Sequence, residues 1–317
     1  MKARTSRQWI VTHEWMVKPM RQREWIEKKG LLVWLAEVFS ALGMGLYLVG
    51  LFAESWWATV IGWAFIVLFK LPLHLIYLGR PLRFWRAIPP FTKAWKTSWL
   101  ARGMFFSIVF VAAGFVQIVL TYVIHQELVS GGALDVITVL NWIAVIVAGV
   151  FILLTGVYCG FAMSYCKSVP FWNTGLLPVV FVIMGLADGL ALMMGVSMVT
   201  SDVDITTLES WSRIMLVINA LLIVAYLIQA YRRHSAAELA ARDLLKGHTA
   251  WVFWIGIVAL GIVTPLAISI VTMFLPEEDV AQLLIVAIIC HTIGAFALKY
   301  SVLKVGIYRS VLPKVGT

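Results

Sequence analysis

Apolar stretches long enough to cross a membrane recur almost from one end of this chain to the other, separated only by short polar breaks. A helix needs about 20 mostly apolar residues to cross a hydrocarbon core ~30 Å thick, and within that core every backbone N–H and C=O must be bonded inside the structure. The stretches are continuous and carry internal Gly, Ser and Thr instead of alternating at period two, which predicts helices and not a barrel. Of the 317 residues 62% are hydrophobic and 13% charged, so the bilayer is the solvent for which this chain is built. The fold class expected is an all-α integral membrane protein with eight transmembrane helices near 31–53, 57–79, 99–124, 136–165, 173–200, 209–233, 248–275 and 280–303, in two four-helix bundles. Residues 1–30 are a basic segment in which Trp9, Trp15, Met16, Met20, Trp25 and Ile26 predict an interfacial amphipathic helix over 8–28, with a plain tail as the alternative. That segment is too polar for a secretory signal, so the N-terminus is expected to be retained. The stretch 80–97 reads as a Trp-rich surface connection and 304–317 as a basic tail.

The charges sort by side. Eight Lys/Arg precede the first helix, six lie in or beside 80–102, Lys167 follows the fourth helix, four lie in 232–246, and Lys299, Lys304, Arg309 and Lys314 close the chain. The opposite face receives Glu54, Glu127, Asp135, Asp202, Asp204, Glu209 and Glu277 to Asp279, with Arg213 the basic exception. This alternation predicts an even helix count with both termini on one side, and the positive-inside rule assigns that side to the cytoplasm.

Few ionisable groups remain at depth: Glu37, Lys70, His74, Asp188 and His291, with Tyr158 as a buried phenol. Such groups are costly in lipid and mark functional sites by default. At a rise of ~1.5 Å per residue, Glu37, Lys70, His74 and Tyr158 all fall roughly 9–15 Å beneath the basic face, which suggests one pocket. Lys70 and His74 share a helix side by their i, i+4 spacing. A buried Glu37–Lys70 ion pair with His74 reaching the interface is the simpler reading of the same residues. Asp188 and His291 lie deeper, as proton-pathway residues or as helix-to-helix hydrogen bonds. Cys159, Cys166 and Cys290 lie in apolar runs without Cys-x-x-Cys spacing, and only His74 and His291 lie deep; no haem, flavin, metal or Fe–S cluster is expected in this chain, and four-histidine twin-haem ligation is excluded.

Two segments carry a family likeness. Leu78-Gly-Arg-Pro-Leu-Arg-Phe-Trp85 resembles the turn after the second helix in the NrfD family of polysulfide reductase membrane subunits, and Lys167-Ser-Val-Pro-Phe-Trp-Asn-Thr-Gly-Leu-Leu-Pro178 resembles that family's fourth-to-fifth helix junction. Gly43 and Gly45 fit as well. The resemblance implies an eight-helix subunit of a prokaryotic inner membrane that holds no metal or covalent cofactor and binds a quinone, menaquinone or ubiquinone. Its implied partners are a four-cluster ferredoxin-like Fe–S subunit, a molybdopterin catalytic subunit and membrane lipid, without nucleic acid. It places Tyr158 at the family's quinone-contacting tyrosine and leaves Glu37 as an acidic candidate; Tyr77 and Leu78 stand where many relatives carry an acid before the Gly-Arg-Pro turn. A quinone needs an apolar slot and hydrogen-bond donors at its oxygens, which Tyr158 and His74 can supply while Glu37 and Lys70 hold a proton. Arg80, Arg83, Arg86, Lys93 and Lys96 form a basic collar suited to an acidic partner, or equally to phospholipid headgroups. A secondary transporter using Glu37, Lys70 and Asp188, and a structural anchor without quinone chemistry, are the alternatives.

Overall fold

A computed structural model of the chain describes residues 18–79, 83, 85–86, 89–90, 92–233, 235–275 and 277–310, with backbone course alone for 277–279. Among these residues eight helices are long and apolar enough to span a bilayer: α1 Gly30–Phe52, α2 Trp56–Tyr77, α3 Trp99–His125, α4 Gly132–Ser164, α5 Leu176–Thr200, α6 Ile205–Arg232, α7 Val252–Phe274 and α8 Glu277–Lys304. The molecule is the all-α membrane protein that the apolar periodicity predicts, with helix ends displaced by a few residues. Several helices start where a short polar side chain can take up an orphan N–H: Ser55 caps α2 through Ala58, Ser98 caps α3 through Ala101, and Asp204 caps α6 through Thr206 and Thr207.

Two helices widen into π turns just before a proline. In α2 the π segment Phe65–Lys70 precedes Pro72, and in α7 the π segment Val252–Val263 precedes Pro265. Proline has no N–H and its ring crowds the carbonyl four residues back, so the preceding turn loosens instead of breaking the span.

Helices α1 to α4 pack as one four-helix bundle and α5 to α8 as a second. They meet along α1 and α5, where a side chain on Gly45 would strike the backbone of Gly185, and one on Gly189 would strike Gly45. Only glycine permits that backbone approach.

On the basic face the segments flanking the bundles are tied together. Strand β1 (Met20–Arg21) pairs antiparallel with β2 (Ile307–Tyr308), which puts the beginning of α1 and the end of α8 on one side of the membrane. Gln22 N donates to Gly306 O at 2.9 Å, Lys304 Nζ reaches Glu27 Oε1 at 3.1 Å, and Trp172 Nε1 donates to Val302 O at 2.8 Å. Backbone N–H groups, first its own and then that of Arg23, hold the Glu24 carboxyl below its usual range. Burial, then the Glu24 charge, pushes Tyr308 up to about 12. Residues 18–29 therefore correct the expected amphipathic helix: they form a strand and turns, because their backbone bonds to 303–308 while Gln22 and Ile26 bury beneath. Trp9, Trp15 and Met16 lie outside the described residues. An amphipathic helix does appear where a basic loop is predicted: Ala236–Lys246 lays Ala237, Ala240, Ala241 and Leu244 on the core.

Candidate functional site

Tyr158, on the basic-face half of α4, is the centre of the buried polar cluster in the first bundle. Its ring can lie flat against α3 because residue 103 is glycine; a Cβ there would sit 2.2 Å from Tyr158 Cδ2. The phenol oxygen is 3.0 Å from Glu37 Oε1, to which it donates, and 2.9 Å from His74 Nε2. A phenol has one proton, so when it donates to Glu37 it accepts from a His74 N–H, and when the pattern reverses it donates to His74. Reversal shifts a proton along the line with the heavy atoms in place. Among the described residues Glu37 Oε2 and His74 Nδ1 have no hydrogen-bond partner, although both are buried. Both residues line a cavity of about 140 Å³ whose walls include Val33, Tyr77, Leu100 and Cys159, at the basic-face ends of α1 to α4.

Lys70 takes a different place from the one expected. It is fully buried, donates to Ser107 Oγ, and holds its ammonium 5.1 Å from the centre of the Tyr158 ring. Ser107 in turn donates to Gly103 O at 2.7 Å. Lys70 does not line the cavity, and the direct ion pair with Glu37 is not formed: Tyr158 stands between the two, with the carboxylate at its hydroxyl and the ammonium against its ring. Lys70 is the last residue of the π segment of α2, in which it and Ile66 are the buried side chains. His74 is buried and does not reach the interface.

An apolar cleft of about 350 Å³ meets the other edge of Tyr158 between α3 and α4, walled by Trp99, Phe106, Leu154, Val157 and Phe161. Arg102 closes its basic-face end, stacked 4.7 Å from the Trp99 ring and bonded to Trp95 O at 3.0 Å.

In the second bundle Asp188 of α5 and His291 of α8 meet, a pairing with no sign in the sequence. Asp188 Oδ1 is 2.9 Å from His291 Nε2, close in distance but off the line of a ring N–H, so neither atom has a well-aligned hydrogen bond. Lys299 corrects the charge sorting: it lies buried in α8 with its ammonium 4.1 Å from the Phe181 ring and no hydrogen-bond partner among the described residues, and does not belong to the basic face. Its position inside the apolar run 280–303 was the available signal. Of the expected collar, Arg83, Arg86, Lys93 and Lys96 are exposed, and Arg80 lies outside the described residues. Among the described residues no three His, Cys, Asp or Glu side chains converge to hold a metal ion.

The family model for polysulphide reductase, NrfD, matches residues 54–310. The protein is similar to the C subunit of polysulfide reductase from Wolinella succinogenes, at 27% identity over 250 residues, 74% of this sequence and 76% of that one. It is also similar to the protein NrfD homolog of Haemophilus influenzae, 27% identical over 158 residues (48% of each sequence), and to protein NrfD of Escherichia coli, 27% identical over 131 residues (38% of this sequence, 40% of the relative). With eight membrane-spanning helices and a family match over most of its length, this chain is a multi-span membrane protein that belongs to the NrfD/polysulphide reductase family.

Proposed function

We propose that the chain is the quinone-reactive membrane subunit of a respiratory oxidoreductase complex, with the quinone ring held in the cavity beside Tyr158. The observation that carries this reading is the Glu37–Tyr158–His74 line, whose three residues line one cavity and which leaves Glu37 Oε2 and His74 Nδ1 without a partner among the described residues. Buried polar atoms without partners are uncommon, and a ligand with two hydrogen-bonding oxygens answers them. A cavity of about 140 Å³ is small beside ordinary small-molecule sites of ~300–1,000 Å³, so it suits a ring without its tail. The apolar cleft at the other edge of Tyr158 suits an isoprenoid tail and opens between α3 and α4.

A bound quinone supplies two-electron, two-proton redox chemistry. The protein's part is to orient the ring and move protons. His74 Nδ1 hydrogen-bonds a ring oxygen; Tyr158 Oη passes a proton between His74 Nε2 and Glu37 Oε1; Glu37 Oε2 exchanges it onward. Lys70 is a positioning residue: its ammonium fixes the Tyr158 ring and favours negative charge on the Tyr158–Glu37 line.

Membership of this family, and a relative whose name marks it as one component of a polysulfide reductase, support an assembly in which electrons pass to an Fe–S subunit and a molybdopterin subunit. The exposed Arg83, Arg86, Lys93 and Lys96 suit the docking of an acidic partner close to the cavity. The positive-inside rule supports a cytoplasmic basic face in a prokaryotic cell membrane.

The decisive experiment is quinol-analogue turnover and quinone occupancy in the assembled complex carrying Tyr158→Phe. Removing the hydroxyl takes away the hydrogen bond that positions His74 for the ring, worth roughly 0.5–1.5 kcal/mol, so occupancy should fall by at most about tenfold, with turnover reduced further because the relay is cut. Unchanged turnover together with unchanged occupancy would place the quinone elsewhere.

A further inference from the structure

We infer that the cleft between α3 and α4 is a phospholipid site: Arg102 binds the phosphate of an anionic headgroup, and one acyl chain lies along the apolar walls as far as Tyr158. Arg102 is a cation whose own surroundings supply no anion. The segments that build the cleft belong to residues 55–126 and 136–187, and neither stretch contains an Asp or Glu. Among the described residues the hydrogen bonds of Arg102 go to backbone carbonyls, from Nε to Trp95 O at 3.0 Å and from Nη2 to Lys96 O at 2.6 Å. Both carbonyls belong to the end of the short helix Lys93–Thr97, where they have no helical partner. A guanidinium has five N–H bonds, so three remain, two of them on Nη1, enough for a forked pair with a phosphate. Its plane is held for that use: Cζ lies 4.7 Å from the centre of the Trp99 ring and 5.5 Å from that of Trp95. Trp95 adds a donor. It lines the cleft, and its Nε1 is buried without a hydrogen-bond partner among the described residues.

The position suits a lipid and not a soluble anion. Arg102 is the fourth residue of α3, about 5 Å below its basic-face end, which is headgroup depth for a helix of 27 residues, ~40 Å long, in a core of ~30 Å. Beneath it the walls are apolar: Phe106 on α3, then Phe161, Val157 and Leu154 on α4, the last of them seven residues, ~10 Å, below Phe161. A free phosphate leaves those walls bare. An acyl chain covers them. Charge around the mouth selects the headgroup: Arg86, Lys93 and Lys96 are exposed on the same connection, so a headgroup with its own ammonium is repelled and a net anionic one is drawn in. The chain ends against Tyr158, in the space given above to the isoprenoid tail. Lipid and tail therefore exclude each other, and an anionic phospholipid fills the cleft until a quinone displaces it; this second half rests on the quinone reading at Tyr158.

The test uses the purified full chain in detergent, with dioleoylphosphatidylglycerol and dioleoylphosphatidylcholine as probes and native mass spectrometry to count retained lipid. Phosphatidylglycerol should be retained over phosphatidylcholine by about fivefold or more. Arg102→Gln should lower its retention by at least about fivefold, and Arg102→Lys should restore part of it, since an ammonium keeps the charge and loses the fork. Arg232→Gln, which removes an exposed charge from the last turn of α6, should leave retention unchanged. Should Arg102→Gln fail to fold, Leu154→Trp fills the cleft with Arg102 in place and should lower retention in the same way. Equal retention of the two lipids, full retention in a folded Arg102→Gln or Leu154→Trp, an equal loss in Arg232→Gln, or displacement of the lipid by an equimolar amount of inorganic phosphate overturns the site. None of these readouts requires quinone, so they succeed or fail apart from the reading at Tyr158. In the assembled complex, quinone occupancy should fall as phosphatidylglycerol is added to the wild type and not when it is added to Arg102→Gln; an occupancy indifferent to the lipid overturns the exclusion.

Discussion

In the first bundle the buried polar groups gather toward the basic face, around a tyrosine and beside a cavity; in the second, an aspartate and a histidine meet at mid-helix with a backbone carbonyl as the third partner. Both depend on a helix whose π turns precede a proline, yet the proline is used differently. Pro72 follows the π segment that ends in the buried Lys70, and α2 contributes the side chains of Lys70 and His74. Pro265 leaves Gly261 O unclaimed by an α-helical N–H, so α7 contributes backbone. A cluster built on side chains next to open space can accept a ligand. One locked by a carbonyl, with a cavity of about 10 Å³ beside it, has no room for a ring.

The largest effect that would test this contrast is on stability. His291→Leu strands Asp188 without its partner and should destabilise the full chain by about 3–5 kcal/mol, with the Asp188→Leu/His291→Leu double variant recovering much of it. Glu37→Gln keeps a hydrogen bond to Tyr158 and should cost less, about 1–3 kcal/mol. Thermal unfolding in detergent ranks them, and the reverse order would mean that the first bundle carries the tighter lock.

Next is Gly103→Ala, whose methyl must displace the Tyr158 ring; about 1–3 kcal/mol of overpacking is expected, with loss of quinone occupancy in the assembled complex. Gly195→Ala in α5 is the control, since its methyl would meet Ile288 Cδ1 at an ordinary 3.6 Å and should change neither quantity. Smaller still is the coupling between Glu37→Gln and Lys70→Met. With the Tyr158 ring between them a double-mutant cycle should give roughly 0.5–1 kcal/mol, and a value of several kcal/mol would mean that the two charges touch.

The smallest effect lies on the clasp that joins the bundles. In Glu24→Gln the Tyr308 phenol should titrate below about 12 but remain above 10, because burial is the larger cause of its shift. Ultraviolet difference titration against Tyr308→Phe reads this. The stabilisation linked to that phenol is present below pH 10 and is lost as pH rises toward 12.

Span number, the common side of the chain's flanks and the depth of Glu37, His74 and Tyr158 could all be read from the sequence, because hydropathy and charge act locally along the chain. Partnership across helices could not. Nothing in the spacing shows that Asp188 meets a histidine 103 residues later, or that Tyr158 separates Glu37 from Lys70, since both follow from which helix faces meet. The glycines that set those faces, Gly45 with Gly185 and Gly261 with Gly294, look in sequence like any other small residues of a membrane helix. Lys299 defeats the charge sorting for a physical reason as well: five residues from Lys304, a lysine can extend to the interface, yet here it is buried with its ammonium against the Phe181 ring.

The strand pair between Met20–Arg21 and Ile307–Tyr308 has a consequence for the order of assembly. During synthesis the first of these segments leaves the ribosome long before the second exists, and all eight helices must enter the bilayer before the two can meet. The basic face, on which Gln22, Trp172 and Gly306 come together, is thus the last part of the molecule to take shape. A partner that recognises that finished surface would bind completed chains and pass over those still being made.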